Sequence, residues 1–306
     1  MRRSSPRRHS APIRMVTRLA LTAPVAAVPA TEVAPVAAPF EPRFGEVELA
    51  TGVRLHYLEQ GNPAGKPIIL LHGLCDSWSS FGRVLPGLTA AHRVYALDLR
   101  GHGDSGRPAG GYTPRDMAGD VVAFMDTLKI ERATLVGHSM GSFAVQQTAL
   151  AAPERVAGMV LIGSATTGRS PATEELEQAL ASLPDTVPAD FVGEFQAGTI
   201  HHPVPAEFMA RVVEDCSKPP ARVWREALAG IIRMERISGL GGKQIPALLI
   251  WGERDGVFSR AEQQALVASL PIASLRVYRE TGHAPHWERP GEVVRDIERF
   301  LRTSPP

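Results

Sequence analysis

Residues 135–141 read LVGHSMG, so that a lone serine, Ser139, stands between Gly137 and Gly141. An apolar run precedes this segment, and residues 142–153, whose apolar positions recur at helical spacing, follow it. A Gly-x-Ser-x-Gly pattern between a strand and a helix is typical of a nucleophile elbow, in which a strained turn presents the serine hydroxyl above the edge of a sheet. We therefore interpret Ser139 as a reacting group, and we expect the two glycines to let the strand and the helix pass closely.

The segments on either side of this turn predict an α/β fold. Short apolar runs without alternation are typical of strands that are buried on both faces of a parallel sheet. Such runs occur at residues 67–73, 93–99, 133–139, 156–163 and 246–252, and a more exposed one at 274–280. Helix-like segments separate them, for example one that begins with Thr113 as its N-cap and Pro114 at its first position. This alternation indicates a doubly wound, mostly parallel sheet, and residues 45–61 predict an antiparallel hairpin at its edge.

The long interval between the fourth and fifth central runs interrupts this rhythm. Residues 164–243 contain no convincing strand and several amphipathic segments, and an insertion of that length is more than a loop. We expect it to form a helical cap over one end of the sheet. The α/β core would then comprise residues 44–163 and 244–303.

The first 43 residues have a different composition, basic at first and then rich in Ala, Val and Pro. A basic segment followed by an apolar one resembles an export signal. However, Pro24, Pro29 and Pro35 interrupt the apolar part, which is also too short to span a bilayer. We therefore favour a leader outside the fold and a cytoplasmic location, with export as the alternative.

Composition excludes several classes of partner. The chain has 306 residues, 44% of them hydrophobic, and a formal net charge of +1, so nothing in it favours a nucleic acid or a membrane surface as partner. Its two cysteines, Cys75 and Cys216, are far apart and lack metal-ligand spacing, which excludes a disulfide framework and a structural zinc site. We expect a small-molecule substrate and no cofactor or metal. The oligomeric state is left open.

A nucleophilic serine needs a base, and the base needs a group that orients it. Asp255 follows the apolar run at 246–252, and His283 follows the one at 274–280. Since the carboxyl ends of parallel strands meet at one edge of a sheet, we expect both side chains to lie near Ser139. Glu253 and His286 compete for these two roles. We interpret Glu253 as a solvated or structural carboxylate and His286 as a residue that packs or lines the pocket.

Four stretches of the sequence together resemble the serine α/β-hydrolase superfamily over residues 44–302. They are LLHGLCDSW (70–78), ALDLRGHGDSGRP (96–108), LVGHSMG (135–141), and the pair LLIWGERDGVF (248–258) with ETGHAPHWERP (280–290). The resemblance implies the α/β-hydrolase fold, an eight-stranded and mostly parallel sheet, with Ser139, Asp255 and His283 as a catalytic triad in the order of that family.

The same resemblance implies several supporting roles. The backbone N–H groups of Leu74 and Met140 would form the oxyanion hole, and Asp98, Arg100 and Asp104 would satisfy one another in a structural turn. Substrate-pocket candidates are residues beside these groups and aromatic residues of the inserted segment: His72, Gly73, Trp78, His138, Trp224 and Trp287.

The expected activity is hydrolysis of carboxylic esters or lactones of hydrophobic small molecules through an acyl-enzyme. A carbon–carbon bond hydrolase of diketones and a cofactor-free haloperoxidase or perhydrolase are alternatives, because they resemble this chain in the same motifs. A ligand-sensing receptor of the same fold is a further alternative from a different class. A carboxylate nucleophile, which epoxide hydrolases and haloalkane dehalogenases use, is disfavoured because position 139 is serine.

Overall fold

The computed structural model describes residues 40–303, which are built around one mixed β-sheet. Its strands are β1 Arg43–Glu48, β2 Arg54–Gly61, β3 Pro67–Leu71, β4 Arg93–Leu97, β5 Ala133–His138, β6 Val156–Ile162, β7 Ala247–Gly252 and β8 Ala273–Tyr278. Among the described residues they form an eight-stranded sheet in the order β1-β2-β4-β3-β5-β6-β7-β8. β2 pairs antiparallel with β1 and β4, and all other neighbours pair parallel. The predicted sheet, including its edge hairpin, is confirmed.

The helices in chain order are α1 Leu85–Leu88, α2 Pro114–Thr127, α3 Met140–Ala151, α4 Pro171–Ala181, α5 Ala189–Gly198, α6 Ala206–Cys216, α7 Ala221–Arg233, α8 Arg260–Ala268, α9 Pro285–Glu288 and α10 Pro290–Thr303. The start of α2 has the N-cap contacts that its sequence predicts. The Thr113 hydroxyl accepts from the Asp116 N–H, the Asp116 carboxylate accepts from the Thr113 N–H, and Pro114 occupies the first turn.

Successive side chains of each central strand point to opposite faces of the sheet, and each face has its own core. In β3, Ile69 and Leu71 belong to the core that includes residues of α2 and α3, whereas Ile68 and Leu70 belong to the core that includes residues of α1 and α10. All six residues of β5 are buried. For this reason the central strands appear in the sequence as continuous apolar runs rather than as alternating ones.

Four helices, α4 to α7, lie between β6 and β7 in the chain. Trp224 of α7 is fully buried among them, and the rings of Phe191 and Phe195 from α5 pack against it edge-on, with centroids 6.1 and 5.3 Å away. The described part of residues 164–243 is thus helical where it is regular. The bounds of the predicted cap as a separate unit stay a prediction.

The predicted leader falls almost wholly outside the described residues, which begin at residue 40. β1 begins at Arg43, one residue before the predicted start of the core. Within residues 40–303, no helix is both long enough and apolar enough to cross a bilayer.

Candidate active site

Ser139 lies in a strained turn between β5 and α3. Its backbone angles are φ 48° and ψ −115°, and a positive φ is uncommon for a residue with a side chain. The Ser139 N–H donates to the carbonyl of Ile162 at 2.9 Å, which ties the turn to the end of β6. Strain of this kind persists only where surrounding contacts impose it, and it is concentrated at functional sites.

The two glycines of the motif are required by close backbone contacts. A Cβ atom at Gly141 would lie 2.1 Å from the carbonyl oxygen of Leu71 at the end of β3. A Cβ atom at Gly137 would lie 2.5 Å from the carbonyl oxygen of Gly141. The strand and the helix therefore approach each other as closely as the sequence pattern predicts.

Replacement of Gly141 by alanine should destabilise the fold. Because the obstacle is backbone rather than a flexible side chain, we expect Gly141→Ala to lower the free energy of unfolding by about 3 kcal/mol. Urea unfolding followed by circular dichroism measures this loss. Gly193→Ala is the matched control, since Gly193 lies inside α5 with no atom within 4 Å of the added methyl group. That control should be neutral or slightly stabilising, and equal losses in the two variants would contradict the contact.

His283 and Asp255 form a buried pair at the ends of β8 and β7. The distance from His283 Nδ1 to Asp255 Oδ2 is 2.9 Å, and their side chains are 4% and 0% exposed. The other oxygen of Asp255 accepts from the N–H groups of Val257 and Phe258 at 2.7 and 3.0 Å. Asp255 is thus fixed as a hydrogen-bond acceptor, and Nδ1 of His283 carries the proton that it accepts.

His283, the candidate base, lies beside the serine turn. A Cβ atom at Gly163, the residue that follows Ile162, would lie 2.9 Å from Nδ1 of His283. The Ser139 N–H is bonded to the carbonyl of Ile162, the residue before Gly163. The His283 imidazole and the Ser139 turn therefore both lie against the end of β6. The structure therefore brings the ends of β5, β7 and β8 together as the order of the motifs predicted. Glu253 instead faces the surface, with its carboxylate 3.8 Å from Arg260.

The two candidate oxyanion donors lie in adjacent loops. Met140 is the first residue of α3, so its N–H has no acceptor within the helix. Leu74 lies in the turn that closes from the Asp76 N–H to the Gly73 carbonyl at 3.3 Å, in which Cys75 has φ 65°. The Gly141 N–H donates to the His72 carbonyl at 3.0 Å and so holds this turn against the first turn of α3. Their role as oxyanion donors stays a prediction.

A family model described as alpha/beta hydrolase fold matches residues 66–203, which include the elbow and the turn around Leu74. The chain has the α/β-hydrolase fold. An esterase from a Rhodococcus species superposes with a TM-score of 0.74 at 25% identity, over 86% of this chain and 99% of that one. Among the sequence relatives is an uncharacterized protein of Mycobacterium tuberculosis, which is 27% identical in an alignment that covers 79% of this chain and 77% of that protein. Another is a 2-hydroxy-6-oxononadienedioate hydrolase of Pseudomonas putida, 28% identical over 85% and 94%.

Two of the predicted pocket residues, His72 and Trp78, already have partners within this α/β-hydrolase fold. His72 is fully buried, and its ring nitrogens are both used, Nδ1 with the Gly73 carbonyl at 2.7 Å and Nε2 with the Leu99 N–H at 3.0 Å. Burial lowers its pKa, so it is a neutral structural residue. Trp78 packs edge-on against Phe44 of β1, with ring centroids 5.2 Å apart. Both residues therefore have partners within the protein, and their contact with a substrate stays a prediction.

The other two tryptophan candidates are fully buried, and their contact with a substrate stays a prediction. Trp287 is fully buried, its Nε1 donates to the Ser80 carbonyl at 2.8 Å, and Phe208 of α6 packs edge-on against its ring at 5.6 Å. Trp224 is buried too, and within the described residues its Nε1 has no hydrogen-bond partner. Trp224 therefore keeps one free donor in an otherwise apolar cluster.

The His138 side chain lies between the turn that contains Leu74 and the side chain of His283. Its ring centroid is 5.1 Å from that of His283, and its Nε2 lies 3.3 Å from the His283 carbonyl. A Cβ atom at Gly73 would lie 2.8 Å from its Nδ1, which explains why this position is glycine. Burial lowers the pKa of His138. Its neighbour His286 is fully buried, with a pKa well below the usual range because of burial.

The remaining alternative nucleophiles and bases are inert in this fold. Burial raises the pKa of Cys75 and of Cys216 well above the usual value, so both thiols are protonated. Burial lowers the pKa of His102 to about 3, and its Nδ1 donates to the Arg100 carbonyl at 2.8 Å.

The expectation for Arg100 was wrong. Its guanidinium donates two hydrogen bonds of 2.6 Å to Asp120 of α2 instead of pairing with Asp98 or Asp104. Asp98 accepts from the Asp104 N–H at 2.9 Å and from His56 Nδ1 at 2.8 Å, and the hydrogen bond with Asp98 raises the pKa of His56. The sequence does not indicate this pair, because Asp120 lies on the buried face of α2 among apolar residues.

Sequence reasoning also missed a carboxylate beside the oxyanion turn. Asp76 is 3% exposed, and its Oδ1 accepts from Gln196 Nε2 at 2.9 Å and from the Cys216 thiol at 3.4 Å. Its Oδ2 lies 3.8 Å from His138 Nδ1. Asp76 thus links the turn that contains Leu74 to helices α5 and α6. Its position two residues after Leu74 was the available signal.

Proposed function

We propose that this protein is a serine hydrolase that cleaves carboxylic esters or lactones of hydrophobic small molecules. The observation that carries the proposal is the buried 2.9 Å bond between His283 and Asp255 beside the strained turn of Ser139. A nucleophile, its base and an orienting carboxylate in this arrangement are the parts of a catalytic triad. The reaction needs no metal and no organic cofactor.

In the proposed mechanism, Nε2 of His283 takes the proton of the Ser139 hydroxyl as its oxygen attacks the acyl carbon. The N–H groups of Leu74 and Met140 stabilise the oxyanion of the tetrahedral intermediate, and such donors contribute about 3 kcal/mol each. The imidazolium, held by Asp255, then gives its proton to the leaving alcohol. Water attacks the acyl-enzyme with His283 again as base, which releases the acid and restores the serine.

The preference for a hydrophobic substrate rests on the side chains of the inserted helices and of the loop after His283. Phe208, Trp224 and Trp287 are apolar and largely buried in this region. A pocket formed against side chains of this kind would favour apolar acyl or alcohol groups and would leave only a few polar positions to orient the scissile bond.

A series of p-nitrophenyl esters with acyl chains from acetate to decanoate tests this proposal with the full chain. We expect steady turnover and a kcat/KM that is highest for chains of intermediate length, since a buried pocket of finite size gains from each added methylene until it is full. Release of p-nitrophenolate measures the rate. A folded protein that hydrolyses none of these esters would contradict the ester and lactone reading.

Hydrolysis of a carbon–carbon bond in a diketone is the second candidate, and the similarity to the 2-hydroxy-6-oxononadienedioate hydrolase supports it. Both reactions can use a serine, a histidine and an oxyanion hole, so the triad alone does not separate them. A 2-hydroxy-6-oxodienoate assayed beside the esters separates them by kcat/KM. The candidate with the higher kcat/KM by a factor of at least about 10, or about 1.4 kcal/mol of barrier, is the better description.

A further inference from the structure

The backbone of the catalytic histidine is bonded to the inserted helices. The His283 N–H donates to the carbonyl of Thr199 at 2.7 Å, and Thr199 is the C-cap residue of α5. The His283 carbonyl faces His138 Nε2 at 3.3 Å. The loop that carries the base is therefore positioned from two sides, by the elbow strand and by the segment that follows α5.

Glu288, the last residue of α9, bridges the same two loops through its carboxylate. Its Oε1 accepts from the Gly282 N–H at 2.7 Å, and its Oε2 accepts from the His202 N–H at 2.7 Å. Gly282 precedes the catalytic histidine, and His202 belongs to the loop after α5. Hydrogen bonds from neutral donors to an ionised acceptor are short and strong, and both oxygens of this carboxylate are used.

The two loops are in close contact, with no room for adjustment between them. A Cβ atom at Gly282 would lie 2.7 Å from both the Thr199 carbonyl oxygen and the His201 N–H nitrogen. Both obstacles are backbone atoms. The backbone of residues 199–202 and that of residues 282–283 thus pack directly against each other, and each restricts the position of the other. The Glu288 carboxylate lies beside this contact.

The ion pairs at the surface of this contact are a weaker connection. Glu280 accepts from Arg254 at 2.7 Å and lies 3.2 Å from His201, but these side chains are 37 to 54% exposed. Exposed ion pairs contribute little because solvent screens them. The bridge through Glu288 differs from these pairs because it binds backbone N–H groups of both loops rather than mobile side chains.

We propose that Glu288 is a positioning residue, which sets the location of the catalytic base by clamping the loop of His283 to the segment after α5. This inference rests on the proposed function, since it concerns the base of that reaction. Glu288 touches neither Ser139 nor Asp255, and it acts through the backbone of Gly282. A misplacement of about 1 Å in a reacting group can lower a rate about 100-fold.

Glu288→Gln tests the clamp with little change in volume. The amide keeps one oxygen for one N–H group, and its NH₂ group faces the other N–H group as a second donor, so one of the two bonds is lost. We expect a 10- to 100-fold fall in the rate at which Ser139 reacts, with little change in the concentration of reagent or ester that gives half the maximal rate. Glu292→Gln is the matched control, because Glu292 of α10 pairs with Arg289, the residue before that helix, and contacts neither loop of the clamp. It should react at the wild-type rate.

An alkyl fluorophosphonate is the probe, since it does not require the natural substrate. The Ser139 oxygen forms a bond to phosphorus, fluoride leaves, and His283 takes the hydroxyl proton. The rate constant of labelling is measured by intact-protein mass spectrometry for wild type, Glu288→Gln, Glu292→Gln and Gly282→Ala. Gly282→Ala separates the two loops without changing Glu288, and we expect it to slow labelling in the same way. Hydrogen exchange of peptides covering residues 199–203 and 280–284 should rise together in both variants.

The outcomes separate the clamp from the proposed function. Slow labelling of Glu288→Gln and Gly282→Ala, with wild-type labelling of Glu292→Gln and faster exchange in both peptides, supports the clamp. Equal labelling of wild type and Glu288→Gln overturns the clamp and leaves the proposed function intact. Absence of labelling in the wild type overturns Ser139 as the nucleophile and the clamp with it.

Discussion

Ser139→Ala should lower kcat for the best ester by about 10⁵-fold, with residual turnover from the oxyanion donors and from binding alone. The alanine keeps the Cβ atom and the backbone bond to Ile162, so we expect the variant to fold and to bind the substrate with a similar KM. The only atom removed is the hydroxyl oxygen, which is the nucleophile of the proposed mechanism. The measurement is steady-state hydrolysis of the preferred p-nitrophenyl ester.

The control for this variant is Ser182→Ala, which removes a surface hydroxyl that bonds only to the carbonyl of Ala179 among the described residues. It should hydrolyse the ester at the wild-type rate. Retention of more than about 1% of kcat in Ser139→Ala would correspond to a loss below about 3 kcal/mol. Such a result would show that another group forms the covalent bond, or that water attacks directly.

Asp255→Asn should lower kcat by about 10⁴-fold while the fold is preserved. Asparagine has the shape of aspartate, and its amide oxygen can keep the bonds from Val257 and Phe258. Its NH₂ group, however, would face His283 Nδ1 as a donor. The imidazole would then carry its proton on Nε2 and could not accept the proton of Ser139.

Glu253→Gln distinguishes this effect from a general loss of negative charge in the same loop. The Glu253 carboxylate lies 3.8 Å from Arg260 in an exposed ion pair. We expect its kcat to stay within about twofold of wild type, as is usual for an exposed ion pair. A larger loss in Glu253→Gln than in Asp255→Asn would reassign the orienting carboxylate.

The parts of this molecule that were predictable from its sequence depend on local patterns. The central strands are buried on both faces and therefore appear as continuous apolar runs, and the N-cap of α2 is formed by residues three positions apart. Ser139 was identifiable because its glycine neighbours are required by backbone contacts at the turn. His283 and Asp255 followed from their positions after two such apolar runs.

The contacts that escaped prediction join residues that are distant in the chain. Arg100 bonds to Asp120 of α2, Asp76 bonds to Gln196, and Glu288 bonds to the His202 N–H. No local sequence pattern indicates any of these three pairs. The partners of His72 and Trp78 escaped prediction for a related reason. The positions of these two residues near Leu74 are visible in the sequence. Their partners, Leu99 for His72 and Phe44 for Trp78, are distant in the chain and are not.

The positive φ angle of Ser139 has an evolutionary consequence. A residue with a side chain is held there at a cost of about 1 to 3 kcal/mol, and that cost is tolerated because the hydroxyl must project from the turn. In a descendant that no longer needed the reaction, glycine at this position would relieve the strain and increase stability. Loss of catalysis in this lineage would thus be favoured by stability, and regaining it would require the chain to accept the strained turn again.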